Sequence, residues 1–131
     1  AMTFEVKWQE REGGMVVVQP LGRLDSNTYT RLEEALDLLV KPSTRVLVLD
    51  MRGLQYITSA GLRVLFKAAK AVEGYGGTFL MSNLQPQIQK VFDIIKALPS
   101  MQIFKDIEEV DAYLDAMQQK EAARQKDPSA A

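Results

Sequence analysis

The residues best placed to do chemistry lie in the stretch YITSAGLRVLF, residues 56–66, where Thr58 and Ser59 precede a glycine and a run of helix-forming apolar residues. Three roles follow for Ser59 from its type and position. As a helix cap, its side-chain oxygen accepts a hydrogen bond from an otherwise unpaired first-turn N–H, a contribution of about 1 kcal/mol. As a nucleophile it needs a base, and the serine elbow of hydrolases also needs glycine two residues earlier. Ile57 holds that position, and the chain contains no histidine to take the proton. As the acceptor of a covalently written charge, the hydroxyl must be open to solvent at a helix start, where unpaired amides and the helix dipole favour an anion.

The wider composition narrows the choice. The absence of cysteine excludes disulfides, redox dithiols and thiolate zinc sites. The absence of histidine removes the commonest general base and the commonest transition-metal ligand. No catalytic set, metal site or cofactor is therefore expected. Sixteen basic residues against seventeen acidic ones leave a formal net charge of -1, without the basic excess of a nucleic-acid binder. No apolar stretch approaches the roughly 20 residues of a membrane span, and no basic-then-apolar leader opens the chain. The expected location is cytoplasmic, with no direct membrane insertion.

These residues must be positioned by a fold that the periodicity outlines. Phe4, Val6 and Trp8 alternate with Glu5, Lys7 and Gln9, the pattern of a half-buried strand. Glu12-Gly13-Gly14 reads as a turn into a second strand from Met15 to Leu21, forming a hairpin with Pro20 near its end. Asp25, Ser26 and Asn27 are candidate N-caps for a helix carrying Tyr29, Leu32, Leu36 and Leu39, which Pro42 ends. The apolar run Arg45–Asp50 predicts a central strand covered on both faces. A loop leads into residues 56–66, and Leu62, Leu65, Phe66 and Ala69 mark a helix closed by Gly74, Gly76 and Gly77. Thr78–Met81 is a further strand. Ser82 and Asn83 offer caps for a helix with Ile88, Val91, Phe92 and Ile95, stopping before Pro99. Ile103 and Phe104 predict a brief edge strand, and Ile107, Val110, Leu114 and Met117 a last helix. The expected fold class is α/β, a mixed four- to five-stranded sheet opened by a β-hairpin with helices packed mainly on one side. A single domain over 3–117 is followed by a polar tail, 118–131, expected to fray.

The pattern Y-I-T-S-A-G-L-R-V-L, preceded by an apolar strand ending in Asp50 and by G-R-L-D at 22–25, resembles the STAS domain (sulfate transporter and anti-sigma factor antagonist). Within it, the chain is most similar to free-standing bacterial anti-sigma factor antagonists. The likeness runs from about Phe4 to Leu114 and includes the closing stretch VFDIIKALPSMQIFKDIEEVDAYL. The resemblance implies that Ser59 is phosphorylated by the partner, an anti-sigma factor serine kinase of the histidine-kinase-like ATPase type, and that a PP2C-type phosphatase resets it. The family's G-x-L-D acid, close to that serine, falls on Asp25. Many members carry aspartate directly before the serine, where this chain has Thr58.

On this reading a phosphate adds about 1.5 to 2 negative charges at the helix start. Asp25 faces it, and Gly61 lets a partner approach closely. Arg63 and Lys67 follow Ser59 at four-residue steps, with Lys70 continuing the stripe; it is a docking face or simply a solvated one. Ser26, Thr28, Thr58 and Leu62 complete the expected partner-binding set. The unmodified form would free a sigma factor by binding its kinase. The other expectation is an accessory interaction module of a transport system, in which the serine is sometimes unused.

Overall fold

The structure is a computed structural model and describes residues 4–97 and 107–126. Alternation of apolar and polar residues sets the opening hairpin. Strand β1 (Glu5–Arg11) pairs antiparallel with β2 (Met15–Leu24), placing Val6 opposite Pro20 and Trp8 opposite Val18. The 3-10 turn Glu12–Gly14 joins them, with φ of 79° at Gly13 and 75° at Gly14, values that glycine adopts without a Cβ clash. β2 runs past the expected end at Leu21, so Pro20 lies within it. Phe4 is buried, whereas Trp8, on the same side of the outer strand, is 53% exposed.

Strands β3 (Val46–Asp50) and β4 (Leu54–Ile57) both run parallel to β2, in succession along it. β3 lies against Met15–Val18 and β4 against Gly22–Leu24, with a register shift between Gly22 and Arg23. β5 (Thr78–Ser82) completes a five-stranded mixed sheet of order β1-β2-β3-β5, with β4 beside the end of β2. The expected sheet and hairpin are present. β4 replaces an expected loop, because its partner is distant in sequence and four residues carry too little periodicity to announce a strand. The edge strand expected near Ile103 and Phe104 lies outside the described residues.

Helices α1 (Tyr29–Leu39) and α2 (Ser59–Gly74) bury Leu32, Leu36, Leu39, Leu62, Leu65 and Val72 in one core with Val16, Val18, Leu47 and Leu49 of the sheet. β3 is central, but only Leu47 and Leu49 are buried; Val46, Val48 and Asp50 point to a half-open face. The expectation of cover on both faces is thus corrected: a purely apolar run met a sheet whose helices crowd one side. Helix α3 (Pro86–Ala97) starts on proline, whose missing N–H belongs to the first turn anyway. Asn83 lies three residues before the helix; at φ 56° it donates through Nδ2 to Asp50 at 3.1 Å.

Helix α4 (Ile107–Lys126) lies along α3 and buries Val110 and Leu114. It continues through the region from 118 where a frayed tail was expected, and Gln118 is buried. No described helix is long and apolar enough to cross a membrane. Leu24, Leu54 and Ile57 are fully buried, each contributing about 1.5–3 kcal/mol by leaving water. The rigid core therefore reaches the residues immediately before Asp25 and Thr58.

Candidate functional site

Parallel pairing of β2 with β4 sets Leu24 opposite Ile57, and the Thr58 N–H donates to the Leu24 carbonyl at 3.0 Å. The G-R-L-D and T-S-A-G segments thus leave the sheet side by side. Asp25 opens a tight turn: its Oδ1 accepts the Asn27 N–H at 2.9 Å, and its carbonyl accepts the Tyr29 N–H at 2.9 Å. The Thr28 hydroxyl donates to the Arg23 carbonyl at 2.6 Å and accepts the Asp25 N–H at 2.9 Å. Thr28 is therefore spent on building the turn, while Ser26 is exposed. Asp25 does not cap α1 as expected; its side chain bonds one turn earlier.

Thr58 is extended, φ -112° and ψ 177°, and occupies the cap position of α2 without a side-chain capping bond. Ser59 is the first helical residue, so the capping role expected of it is not realised. The cap comes from elsewhere in the chain. The Asp111 carboxylate of α4 accepts the Ser59 N–H at 2.9 Å through Oδ1, placing an anion where the α2 dipole favours one.

Two further side chains of α4 hold the same junction. Asp115 accepts the Tyr56 hydroxyl at 2.8 Å. Gln118 accepts the Ile57 N–H and donates to the Ile57 carbonyl, both at 2.8 Å, so that one amide satisfies both backbone groups of Ile57. Gln87 Nε2 donates to the Gln55 carbonyl at 3.1 Å. Burial, reinforced by the bond to Asp115 and the charges of Asp115 and Asp111, pushes the Tyr56 hydroxyl up to about 12 despite the opposing Arg23. The Arg23 guanidinium lies 3.8 Å from the Tyr56 ring centroid, and its Nε is 3.8 Å from Asp25 Oδ2. Asp25 and Asp115 are thereby linked through Arg23 and Tyr56.

The consequence for the hydroxyls is direct. Thr58 Oγ1 and Ser59 Oγ each expose less than 1 Å² and meet no hydrogen-bond partner among the described residues. The expectation of a solvent-open Ser59 hydroxyl is corrected: α4 docks over the junction.

Gly61 is buried rather than offered to a partner. A Cβ there would stand 2.7 Å from Leu24 Cγ and 3.0 Å from Ile57 Cγ1, so its missing side chain lets α2 seat on the strand ends. Leu62 is also buried, at the base of a groove lined by Ser59, Arg63, Phe66, Ile95 and Val110. Phe66 is exposed and meets Phe92 edge-on, centroids 6.4 Å apart. Arg63 and Lys67 are exposed as expected, but they part company. Lys67 turns to Glu33 and Asp37 of α1, at 3.5 and 3.9 Å, while Arg63 borders the groove. Lys70 is exposed farther along.

Arg23, Tyr56, Asp111, Asp115 and Gln118 escaped the sequence reading. A usable signal existed: Asp111, Leu114, Asp115 and Gln118 recur at i, i+3, i+4 and i+7, a polar ladder on the very face that Leu114 commits to the core. No group of carboxylates among the described residues could hold a metal ion.

Comparison with known proteins agrees with this geometry. The family model described as the STAS domain matches residues 8–110. A putative anti-sigma factor antagonist, BtrV, of Bordetella bronchiseptica is 36% identical over 81 residues, covering 62% of this chain and 70% of the relative. An anti-sigma F factor antagonist of Paenibacillus polymyxa is 25% identical over 107 residues, 81% of this chain and 90% of the relative. Among solved structures, the anti-sigma factor antagonist SpoIIAA in its unphosphorylated form superposes with a TM-score of 0.59 at 16% identity, covering 69% of this chain and 83% of that one. An anti-sigma factor antagonist of Mycobacterium paratuberculosis gives 0.57 at 19% identity over 86% and 95%. At such identities the structural likeness speaks for the fold, and the family match extends it to lineage: the chain belongs to the STAS domain family, among relatives named anti-sigma factor antagonists.

Proposed function

We propose that the protein is an anti-sigma factor antagonist controlled by phosphorylation of Ser59. The unmodified form binds an anti-sigma factor serine kinase and frees its sigma factor; phosphate on Ser59 ends that binding, and a PP2C-type phosphatase resets it. It is a binding module, not an enzyme. The observation that carries this reading is the convergence of Asp25, Thr58 and Ser59 at the ends of two parallel strands, with Ser59 in the first turn of α2. There the backbone favours an anion, and the turn that Asp25 opens supplies a recognition surface through exposed Ser26. A phosphate beside Asp25 would repel it, and a change of 1–3 kcal/mol in partner binding is enough for a switch. Arg63, free of the α1 carboxylates that hold Lys67, suits contact with a partner.

The buried hydroxyl favours a second reading. A STAS module that never takes phosphate could act as an interaction subunit of a membrane transport system. Incubating the full chain with ATP and candidate anti-sigma kinases, followed by mass spectrometry of the Ser59 peptide, separates the two. One added phosphate, lost in Ser59→Ala, is the expected result. An unmodified peptide with every kinase, together with co-purification of an ABC complex, establishes the transport reading instead.

A further inference from the structure

We infer that α4 is a built-in gate over Ser59, whose docking and a phosphate on Ser59 exclude each other. This rests on the proposal that Ser59 is the phosphoacceptor. Four hydrogen bonds from three residues tie α4 to Tyr56, Ile57 and Ser59, the residues leading into and opening α2. With α4 in place, Ser59 itself is half-buried beside the groove, but its Oγ has less than 1 Å² of accessible surface and is not presented to a transferase. Release of α4 is required first.

The chemistry of the clasp makes the exclusion mutual. Asp111 already holds the first N–H of α2 at 2.9 Å, the group that a Ser59 phosphate would draw on. A phosphoryl group brings a charge near -2 and three acceptor oxygens to that point. It would meet the carboxylates of Asp111 and, one helical turn on, Asp115. Like charges held this close at a half-buried site repel, and they cannot move apart while the helix stays docked. The new charge acts on the polar part of α4's hold, the bonds that water can replace. The step itself is ordinary transfer: the Ser59 oxygen forms a bond to the γ-phosphorus of ATP, ADP leaves, and the hydroxyl proton goes to the kinase's base. Released α4 then changes the surface around Ser59, adding a conformational element to the charge that a partner reads.

The test uses the full chain. Ser59→Glu should raise hydrogen exchange of the α4 amides by at least about tenfold while β2 and β3 stay protected. Unchanged α4 protection in Ser59→Glu overturns the gate. Gln118→Ala, which loosens the clasp without touching Ser59, should increase the rate of Ser59 phosphorylation by the cognate kinase at least about fivefold, tracking the open population. Faster α4 exchange in Gln118→Ala with no gain in phosphorylation rate, where the parent is a substrate, also overturns it. If neither chain takes phosphate from any kinase but Ser59→Glu still releases α4, the exclusion of charge by α4 stands and the kinase reading falls.

Discussion

Helices α2 and α4 meet at the same junction but are held there by different forces. α2 inserts Leu62, Val64, Leu65, Ala68 and Val72 into the core, and the missing side chain of Gly61 lets it sit directly on Leu24. α4 packs along α3 and commits Val110 and Leu114 to the core, but at this junction its grip is Asp111, Asp115 and Gln118 bonding to Tyr56–Ser59. An apolar stripe can only be released into water at the full cost of exposing it, whereas exchanging protein hydrogen bonds for water costs about 0.5–1.5 kcal/mol each. The same contact region therefore joins an apolar contact to a largely polar one. Among the described residues, the Thr58 and Ser59 side-chain oxygens beside α4 have no hydrogen-bond partner, at up to about 1–3 kcal/mol each. Stability has been surrendered where the proposed chemistry takes place.

The contrast can be broken most severely from the scaffold side. Leu65→Ala should destabilise the whole domain by about 2–5 kcal/mol, read as a single cooperative shift in urea unfolding. A loss confined to α4 amides would contradict the scaffold role of α2. Next in size, Gly61→Ala should cost about 1–3 kcal/mol, because Leu24 is fully buried and cannot step aside. An unchanged melting temperature would mean that α2 can lift off the strand ends freely.

Thr58→Val sharpens the comparison with the opposite sign. The extended backbone at Thr58 suits a β-branched residue, and the substitution removes an unbonded buried oxygen. A gain of about 1 kcal/mol in stability is expected. Destabilisation of that size would show that the hydroxyl has a partner in solution.

The smallest effect is on α4 alone. Tyr56→Phe removes the bond to Asp115 and should cost about 0.5–1 kcal/mol, discounted because the pair is partly solvated. Its pH signature is more telling. The folded Tyr56 hydroxyl holds its proton up to about 12, against an ordinary value near 10. A raised folded value means that this contribution is complete below pH about 10 and is lost as pH rises through about 12. Stability of the parent should therefore fall faster than that of Tyr56→Phe across this window. Tyr75, raised by burial against the opposing Arg45, remains in both chains and cancels from the difference. Identical slopes would mean that α4 is not held through Tyr56.

Much of this was legible in the one-dimensional pattern. Val6 and Trp8 alternate as a strand must, and Leu32, Leu36 and Leu39 repeat as a helix must, because each such element is specified by neighbours a few residues away. The T-S-A-G and G-R-L-D segments could be picked out by residue type, and both lie at the site. The cap on α2 could not: it is a carboxylate fifty-two residues downstream. Nor could the role of Gly61, which looks like an open approach until Leu24 is placed beneath it. Likewise Lys67 reads as a companion of Arg63 until α1 brings Glu33 and Asp37 alongside.

Residue order and type by themselves determined the hairpin, the helical faces, the lack of any histidine- or cysteine-based chemistry, and a hydroxyl at the mouth of a helix. Whether that hydroxyl meets solvent was decided only when α4 folded back across β4 and α2. The physical reason is the range of the forces. Periodicity and capping preferences act within a turn or two, whereas burial of an oxygen depends on which distant segment comes to rest above it.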